Sequence, residues 1–326
     1  MGRCVSFLEA AGKRTSGPMG GLLMNVVTYT AEALTAAAPC EIADQLEGGR
    51  VVHFPVCPFE LLSDGDQAFL RDELPGLLRL KNISYHPEAD RVRGIEGDPA
   101  LVERVHRLLL EHSRQVGRFL DETVPTLTRD WTMGTCSFRP IQEQGRNLKP
   151  HASNELVHID AGAYGATNGD RILRFFVNLN PSADRVWATK GTFPSLYEKY
   201  GEAAGLSAAG KARHRLRKGP LDHLRTGIVR TLSACGVKMA HVLDSSPYDR
   251  VMRQFHNFMK DTPEFQADQD QHEEIRFPPF SAWMVFTDML SHASLSGQYA
   301  LVTTGIVPLA NCRLPELAPI NILRAA

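Results

Sequence analysis

Two residues with metal-binding side chains stand two positions apart near the middle of the chain. They are His158 and Asp160, in the segment Asn154–Pro181, which reads NELVHIDAGAYGATNGDRILRFFVNLNP. Side chains two apart on a strand point to the same side, so an imidazole and a carboxylate can meet at one point. With a second histidine they would form the two-histidine, one-carboxylate set that binds Fe(II) and leaves positions open. H-x-D is also compatible with a core histidine and an aspartate that caps the turn at Gly162.

His292 is the third ligand that we predict. It follows the strand-like AWMVFTDML and precedes Ser296-Gly297, a predicted hairpin turn, and the final strand QYALVTTGIV. His151 lies in a polar loop and His256 lies within a predicted helix, so both are weaker candidates. The expected iron ligands are therefore close in space although they are distant in sequence.

A basic residue interrupts the apolar strand that follows H-x-D. Arg174 lies in ILRFFVNLN, where a buried guanidinium needs an anion to offset its desolvation. Hydroxylation at such an iron site needs an electron source, commonly 2-oxoglutarate, whose far carboxylate pairs with a fixed cation. We predict that Arg174 binds this co-substrate. The alternatives are a guanidinium that reaches solvent or one that pairs with a structural acid such as Asp170.

The composition narrows the class of protein. The 326 residues are 43% hydrophobic and 22% charged, with a net charge of −1, which argues against a nucleic-acid partner. The six cysteines are scattered without a C-x-x-C pair, which is typical of a reducing compartment. No run reaches the ~20 apolar residues of a membrane-spanning helix. We therefore expect a cytoplasmic protein.

The elements that must position these residues fall into three regions. Residues 1–45 are expected to be a poorly ordered extension, and residues 46–130 to form a strand and supporting helices, of which the longest begins at Asp98-Pro99. Residues 131–326 then alternate strands and turns around a helical insertion at about 201–262. This order predicts a mainly β, α+β fold: a double-stranded β-helix, or cupin-like jelly-roll, with helices packed outside.

The helical insertion has two halves of different character. Its second half contains Ser246-Pro247 with Asp249, which predicts a capped helix that continues through Phe258. Its first half is basic and is either a solvated face or a surface for an anionic substrate or membrane. The basic residues are Lys211, Arg213, Arg215, Arg217, Lys218 and Arg225.

Two longer stretches resemble the 3-deoxy-D-manno-oct-2-ulosonic acid (Kdo) hydroxylases of Gram-negative bacteria. They are LVHIDAGAYGATNGDRILRFFVNLNPSADRVWATKG and FSAWMVFTDMLSHASLSGQYALVTTGIVP, and the resemblance is absent before about residue 45. Members of this family are Fe(II)- and 2-oxoglutarate-dependent dioxygenases. The resemblance implies a double-stranded β-helix that uses O2 to hydroxylate C3 of Kdo in a Kdo–lipid A glycolipid of lipopolysaccharide. Ascorbate is the expected reductant.

The resemblance also implies roles for individual residues. Arg174 would hold 2-oxoglutarate, with Arg139 as an additional contact, because the position after the distal histidine where many such oxygenases have an arginine is Val302 here. The implied iron ligands and catalytic residues are His158, Asp160 and His292. The expected substrate-binding residues are Lys149, Tyr164, Arg185 and Trp187.

Two other functions are compatible with the same residues. One is a 2-oxoglutarate oxygenase that acts on another substrate, such as a protein side chain. The other is a non-catalytic jelly-roll that binds an anionic saccharide. If the basic insertion contacts lipid, the protein would lie peripherally on the cytoplasmic face of the inner membrane.

Overall fold

The structure, a computed structural model, describes residues 25–78, 82–142, 144–145, 149–162, 166–206, 216 and 246–326. The strands are β1 (Val26–Thr28), β2 (Val51–Phe54), β3 (Ile83–His86), β4 (Arg91–Arg93), β5 (Thr132–Arg139), β6 (Arg171–Asn178), β7 (Arg185–Thr189), β8 (Glu273–Phe277), β9 (Ala282–Phe286), β10 (Ala293–Ser296) and β11 (Ala300–Val307). The α-helices are α1 (Ala31–Ala36), α2 (Glu41–Glu47), α3 (Asp64–Ala68), α4 (Pro99–Thr123), α5 (Phe193–Tyr200), α6 (Pro247–Asp261), α7 (Pro263–Ala267) and α8 (Pro319–Ala325).

The strands form two sheets. The larger has eight strands in the order β1-β2-β9-β6-β11-β5-β3-β4, and the smaller has three in the order β10-β7-β8. An apolar layer contributed by strands of both sheets fills the space between them, and a second core packs the outer face of the large sheet against the helices. The predicted double-stranded β-helix with helices outside is therefore confirmed.

Strand β6 shows how the sequence separates these two cores. Leu173, Phe175 and Val177 point to the helix side, whereas Phe176 belongs to the layer between the sheets. Because side chains alternate along a strand, Arg174 shares the inner face with Phe176. Both faces of β6 are covered, which explains why its sequence is an almost continuous apolar run.

Strands β10 and β11 are consecutive but do not pair with each other. β10 pairs with β7 in the small sheet, whereas β11 pairs with β5 and β6 in the large one. The prediction of a hairpin at Ser296-Gly297 is therefore wrong, because this turn carries the chain from one sheet to the other. Gly297 has a φ of +114°, and a Cβ there would lie 2.9 Å from Arg185 Cα, so the crossing requires glycine.

Within the predicted extension, residues 25–45 form β1, α1 and the start of α2, whereas residues 1–24 lie outside the described residues. β1 pairs in parallel with β2, and the side chains of Tyr29 and Ile42 are buried in the core on the helix side. A three-residue strand has too little periodicity to be seen in a sequence, and pairing with β2 is what stabilises it. β3 and β4 also join the large sheet beside β5, so strands from before and after residue 130 lie in one sheet.

Helix α4 is the main support of the large sheet, as the sequence predicts. The Asp98 carboxylate caps it by accepting a hydrogen bond from the Ala100 N–H at 3.0 Å. The Phe119 ring contacts Phe54 of β2 and Phe175 of β6, with ring centroids 5.4 and 5.6 Å apart. No helix in the described ranges is both long and apolar enough to cross a bilayer.

Helix α6 begins with the predicted capping box. The Ser246 hydroxyl accepts a hydrogen bond from the Asp249 N–H, and the Asp249 carboxylate accepts one from the Ser246 N–H. The same carboxylate also accepts hydrogen bonds from the Thr167 N–H and hydroxyl at 2.8 and 2.7 Å. This buried aspartate therefore ties the start of α6 to the loop that follows H-x-D.

We expect Asp249→Ala to lower the free energy of unfolding by about 3 kcal/mol, because it leaves buried N–H donors of two segments without an acceptor. Urea unfolding followed by circular dichroism measures this change. Asp121→Ala, which removes an exposed carboxylate from α4, is the matched control and is expected to change the value by less than about 0.5 kcal/mol. An equal loss of unfolding free energy in the two variants would contradict a stabilising role for the hydrogen bonds of Asp249.

Candidate metal centre and active-site cavity

Backbone pairing brings the two predicted histidine ligands together. The His158 N–H donates to the His292 carbonyl at 3.0 Å, and the His292 N–H donates to the His158 carbonyl at 2.8 Å, which forms an isolated antiparallel bridge. The Asp160 N–H donates to the Thr287 carbonyl at 2.9 Å. The H-x-D segment is therefore held against the chain that leads from β9 into β10.

The ligand atoms of His158, Asp160 and His292 lie within 4.8 Å of one another. His158 Nε2 is 3.8 Å from Asp160 Oδ1, and His292 Nε2 is 4.0 Å from Asp160 Oδ2. Metal bonds to these atoms are about 2.1 Å long, so neighbouring ligands of one ion lie about 3 Å apart, which is somewhat closer than these atoms lie in the structure. Among the residues that the structure describes, no other group of three such side chains has this arrangement.

The hydrogen bonds of the two imidazoles determine which nitrogen faces the metal position. His158 Nδ1 lies 2.7 Å from the Leu156 carbonyl, and His292 Nδ1 lies 3.1 Å from the Leu290 carbonyl. A carbonyl only accepts, so each Nδ1 carries the proton and each Nε2 presents a lone pair. In both cases the acceptor is two residues earlier in the chain. Such outer contacts fix the ring orientation of metal-binding histidines.

The electrostatics of the three side chains suit metal binding. Burial lowers the pKa of His158 and of His292, which keeps both imidazoles neutral. Burial by itself raises the pKa of Asp160, but the positive charge of Arg174 opposes it, and the net pKa is lowered. Neutral imidazoles and an ionised carboxylate are the forms that bind a metal. This donor set of two neutral imidazoles and one ionised carboxylate suits an Fe(II) ion.

These ligands lie in a cavity of about 290 Å³ between the two sheets. Its wall carries several cationic or neutral basic groups, and among the described residues that line it Asp160 is the one carboxylate. Such a cavity favours anionic ligands. The residues that line it are Asn82, Arg139, His151, Asn154, His158, Asp160, Arg174, Phe176, Trp187, His256, Lys260, His292 and Ser294.

Both predicted co-substrate arginines line the cavity. Arg174 Nη2 lies 3.0 Å from Asp160 Oδ2, so this guanidinium is at the metal end and its observed partner is not Asp170. Arg139 pairs with Ala300 on β11, whereas Arg174 pairs with Thr304. Four residues along a strand correspond to about 13 Å. The two arginines therefore enter the cavity at separate positions.

The predicted substrate-binding residues have different outcomes. Trp187 lines the cavity and stacks on His292, with ring centroids 5.2 Å apart. Lys149 is exposed and does not line the cavity. Tyr164 lies outside the described residues. Arg185 is buried and donates to Ser294 Oγ at 2.8 Å and to the Gly297 carbonyl at 3.3 Å. Arg185 therefore lies behind the Ser296-Gly297 turn and not at the cavity mouth, where it was predicted to contact the substrate.

The two weaker histidine candidates also line the cavity but have other partners. His256 Nδ1 lies 2.8 Å from the Ile159 carbonyl, and its ring packs edge-on against His158. His151 Nε2 lies 2.7 Å from Asp261. Neither histidine belongs to the group of three side chains that could hold a metal ion.

Four polar residues of the cavity were not predicted as site residues. Ser294 could have been found, because it stands two residues after His292 on the same strand face. Lys260 lies four residues after His256 on α6 and donates to the Ser153 carbonyl at 2.8 Å. Asn154 and Asn82 complete the group. Nothing in the local sequence of Asn82 indicates that β3 brings it to the cavity.

The comparisons with known proteins agree with this site. Residues 30–326 match the family described as 3-deoxy-D-manno-oct-2-ulosonic acid (Kdo) hydroxylase. The chain is similar to a solved structure of "the Kdo hydroxylase KdoO, a non-heme Fe(II) alphaketoglutarate dependent dioxygenase" with alphaketoglutarate and Fe(III), at 27% identity and a TM-score of 0.74, over 93% of this chain and 95% of that one. The cobalt(II) complex of KdoO gives the same values. None of the curated proteins matches the chain.

The fold and the His-Asp-His set define a non-heme iron, 2-oxoglutarate-dependent dioxygenase, which confirms the enzyme class predicted from the sequence. Within that class the chain belongs to the Kdo hydroxylase family. The family match begins at residue 30, which is earlier than the resemblance seen in the sequence alone.

We expect His292→Ala to weaken Co(II) binding at least about 100-fold, because loss of a ligand exceeds the 10–100-fold effect of losing an outer contact. Calorimetric titration of the apo-protein measures the affinity. His151→Ala removes a cavity histidine that is not in the set and is expected to retain the wild-type affinity. Loss of binding in His151→Ala with retention in His292→Ala would refute the ligand assignment.

Proposed function

We propose that this protein hydroxylates C3 of the Kdo sugar in the lipid A inner core and so converts Kdo to the talo-octulosonic sugar Ko. The observation that carries the proposal is the convergence of His158, Asp160 and His292 in a cationic cavity, in a chain of the Kdo hydroxylase family. Fe(II), 2-oxoglutarate and O2 are the cofactor and co-substrates, and ascorbate keeps the metal reduced.

The chemistry that iron supplies with 2-oxoglutarate and O2 is the oxidation of a C–H bond. One oxygen atom enters the sugar as a hydroxyl, and the other enters succinate as CO2 is released. The protein contributes position and exclusion of water. His158, Asp160 and His292 are all buried, and the stacked rings of Trp187 and His292 form an apolar wall beside the metal position.

The far carboxylate of 2-oxoglutarate is assigned to Arg139. Arg174 is at the metal end because it contacts Asp160, whereas Arg139 enters the cavity about 13 Å further along β11. A dicarboxylate with one end at the metal extends away from Asp160, and therefore toward the position of Arg139. Asn154 and Ser294 are joined by a backbone hydrogen bond of 2.7 Å and add polar groups to the cavity wall.

The Kdo carboxylate is an anion that this cavity can accommodate near the metal. Trp187 contributes an apolar wall, and Tyr164 and the exposed Lys149 are proposed to contact the sugar. The positively charged segment with Lys211 and Arg213 is proposed to contact the anionic membrane surface on its cytoplasmic side. Kdo–lipid A is the glycolipid that such a peripheral enzyme would use.

The decisive assay combines the purified protein with Kdo–lipid A, 2-oxoglutarate, Fe(II) and ascorbate in air. We expect succinate and a glycolipid that has gained one oxygen atom on Kdo, and neither product with His158→Ala. Mass spectrometry of the released sugar locates the hydroxyl. Succinate without oxidised sugar would refute Kdo as substrate, and failure to form succinate with any substrate would leave a saccharide-binding protein.

We expect Arg139→Gln to raise the KM for 2-oxoglutarate about 10- to 100-fold, because a charge-assisted contact to a carboxylate is lost. Initial rates at saturating glycolipid measure this change. Arg139→Lys retains the charge and is expected to recover part of the affinity. An unchanged KM in Arg139→Gln would exclude this arginine as the anchor.

Neutralising the basic segment tests the membrane contact separately. The variant carries Gln in place of Lys211, Arg213, Arg215 and Lys218. We expect its rate on Kdo–lipid A in anionic vesicles, measured at limiting lipid, to fall at least about tenfold, since each of the four basic residues near such a surface contributes up to about 1 kcal/mol. Its rate on a lipid-free Kdo saccharide should not change. Equal rates of variant and wild type on vesicles would refute the contact.

A further inference from the structure

Arg174 makes a contact that its predicted role as a co-substrate anchor does not explain. Its Nη2 lies 3.0 Å from Asp160 Oδ2, an oxygen that is buried and accepts no hydrogen bond. In the described part of the chain, the other basic groups within 4.0 Å of this carboxylate are the two ligand histidines. Arg174 is therefore the permanently charged partner of the metal-binding carboxylate.

The strand places this guanidinium where it has little freedom to leave. Arg174 lies on the inner face of β6, between Thr304 of β11 and Val285 of β9. Its side chain is only 17% exposed. Phe176, two residues further along the same face, is buried in the apolar layer. A charged group in these surroundings stays with its counter-ion, because separation would leave both charges desolvated.

The two oxygens of Asp160 consequently face different partners. Oδ2 forms the ion pair with Arg174 and lies 4.0 Å from His292 Nε2, whereas Oδ1 lies 3.8 Å from His158 Nε2. A facial triad must leave positions open for the co-substrates. If Asp160 bound through both oxygens, one position too few would remain for a chelating 2-oxoglutarate and O2.

We propose that Arg174 is a positioning residue for Asp160: it holds Oδ2, so that the carboxylate binds iron through one oxygen and leaves the co-substrate positions open. The inference rests on the proposed function in one respect, namely that His158, Asp160 and His292 bind the iron. It differs from an anchoring role, because Arg174 would act on the metal site before 2-oxoglutarate is present.

The test is a titration of the apo-protein with Co(II) alone, followed by visible absorption and calorimetry. We expect Arg174→Met to weaken Co(II) binding about 10- to 100-fold, as loss of an outer-shell contact does, and to alter the Co(II) absorption spectrum. Removing a nearby positive charge would by itself strengthen binding of a divalent cation. A loss of affinity therefore reports lost orientation of Asp160 rather than lost charge.

Two further variants complete the experiment. Arg139→Gln removes the other cavity arginine and is expected to leave the Co(II) affinity and spectrum unchanged. Arg174→Lys retains a donor and is expected to restore part of the affinity, and it keeps the test valid if Arg174→Met does not fold. Unchanged or tighter Co(II) binding in the folded Arg174 variants would overturn the proposal. Failure of the wild type to bind Co(II) would instead refute the proposed function.

Discussion

The active site depends on two backbone hydrogen bonds between His158 and His292. These residues are far apart in the chain, and their mutual bridge is where the H-x-D segment meets the small sheet. The bridge sets the spacing of the two imidazoles, and the hydrogen bonds to Leu156 and Leu290 set their rotation. A backbone group takes part in each of these four hydrogen bonds, so the placement of the two imidazoles needs no further side chain, and ligand substitutions can leave the fold intact.

A buried ion pair links this bridge to the large sheet. Arg171, the first residue of β6, donates from Nε to Asp288 at 2.6 Å, and the same carboxylate accepts the Ile172 N–H at 3.1 Å. Thr287, the neighbour of Asp288, supplies the carbonyl that receives the Asp160 N–H. The strand that carries Arg174 and the turn that leads to His292 are thus tied at one point. A shift of either would move the carboxylate relative to its arginine.

The sequence was sufficient to predict a candidate ligand set, whose three side chains the structure brings together, but not the surroundings of that set. H-x-D and a distal histidine before a strand are local patterns, so His158 and His292 could be identified without knowing how the strands pair. Arg185 is a residue whose position could not be predicted from the sequence. It shares the inner strand face with Trp187, and only the three-dimensional arrangement decides that Trp187 reaches the cavity while Arg185 packs behind Gly297. Strand partners and sheet crossings depend on non-local contacts, which residue spacing does not reveal.

Arg174 illustrates how a correct physical argument can lead to an incomplete assignment. A guanidinium within an apolar strand does require an anion, and the strand itself was predicted correctly. The anion that the structure places beside it is the carboxylate of Asp160. With one cation committed to that ligand, a dianionic co-substrate needs a second cation, and Arg139 is on the same cavity wall. On our proposal, separate arginines for Asp160 and for 2-oxoglutarate would allow the iron site to be ordered before its co-substrate binds.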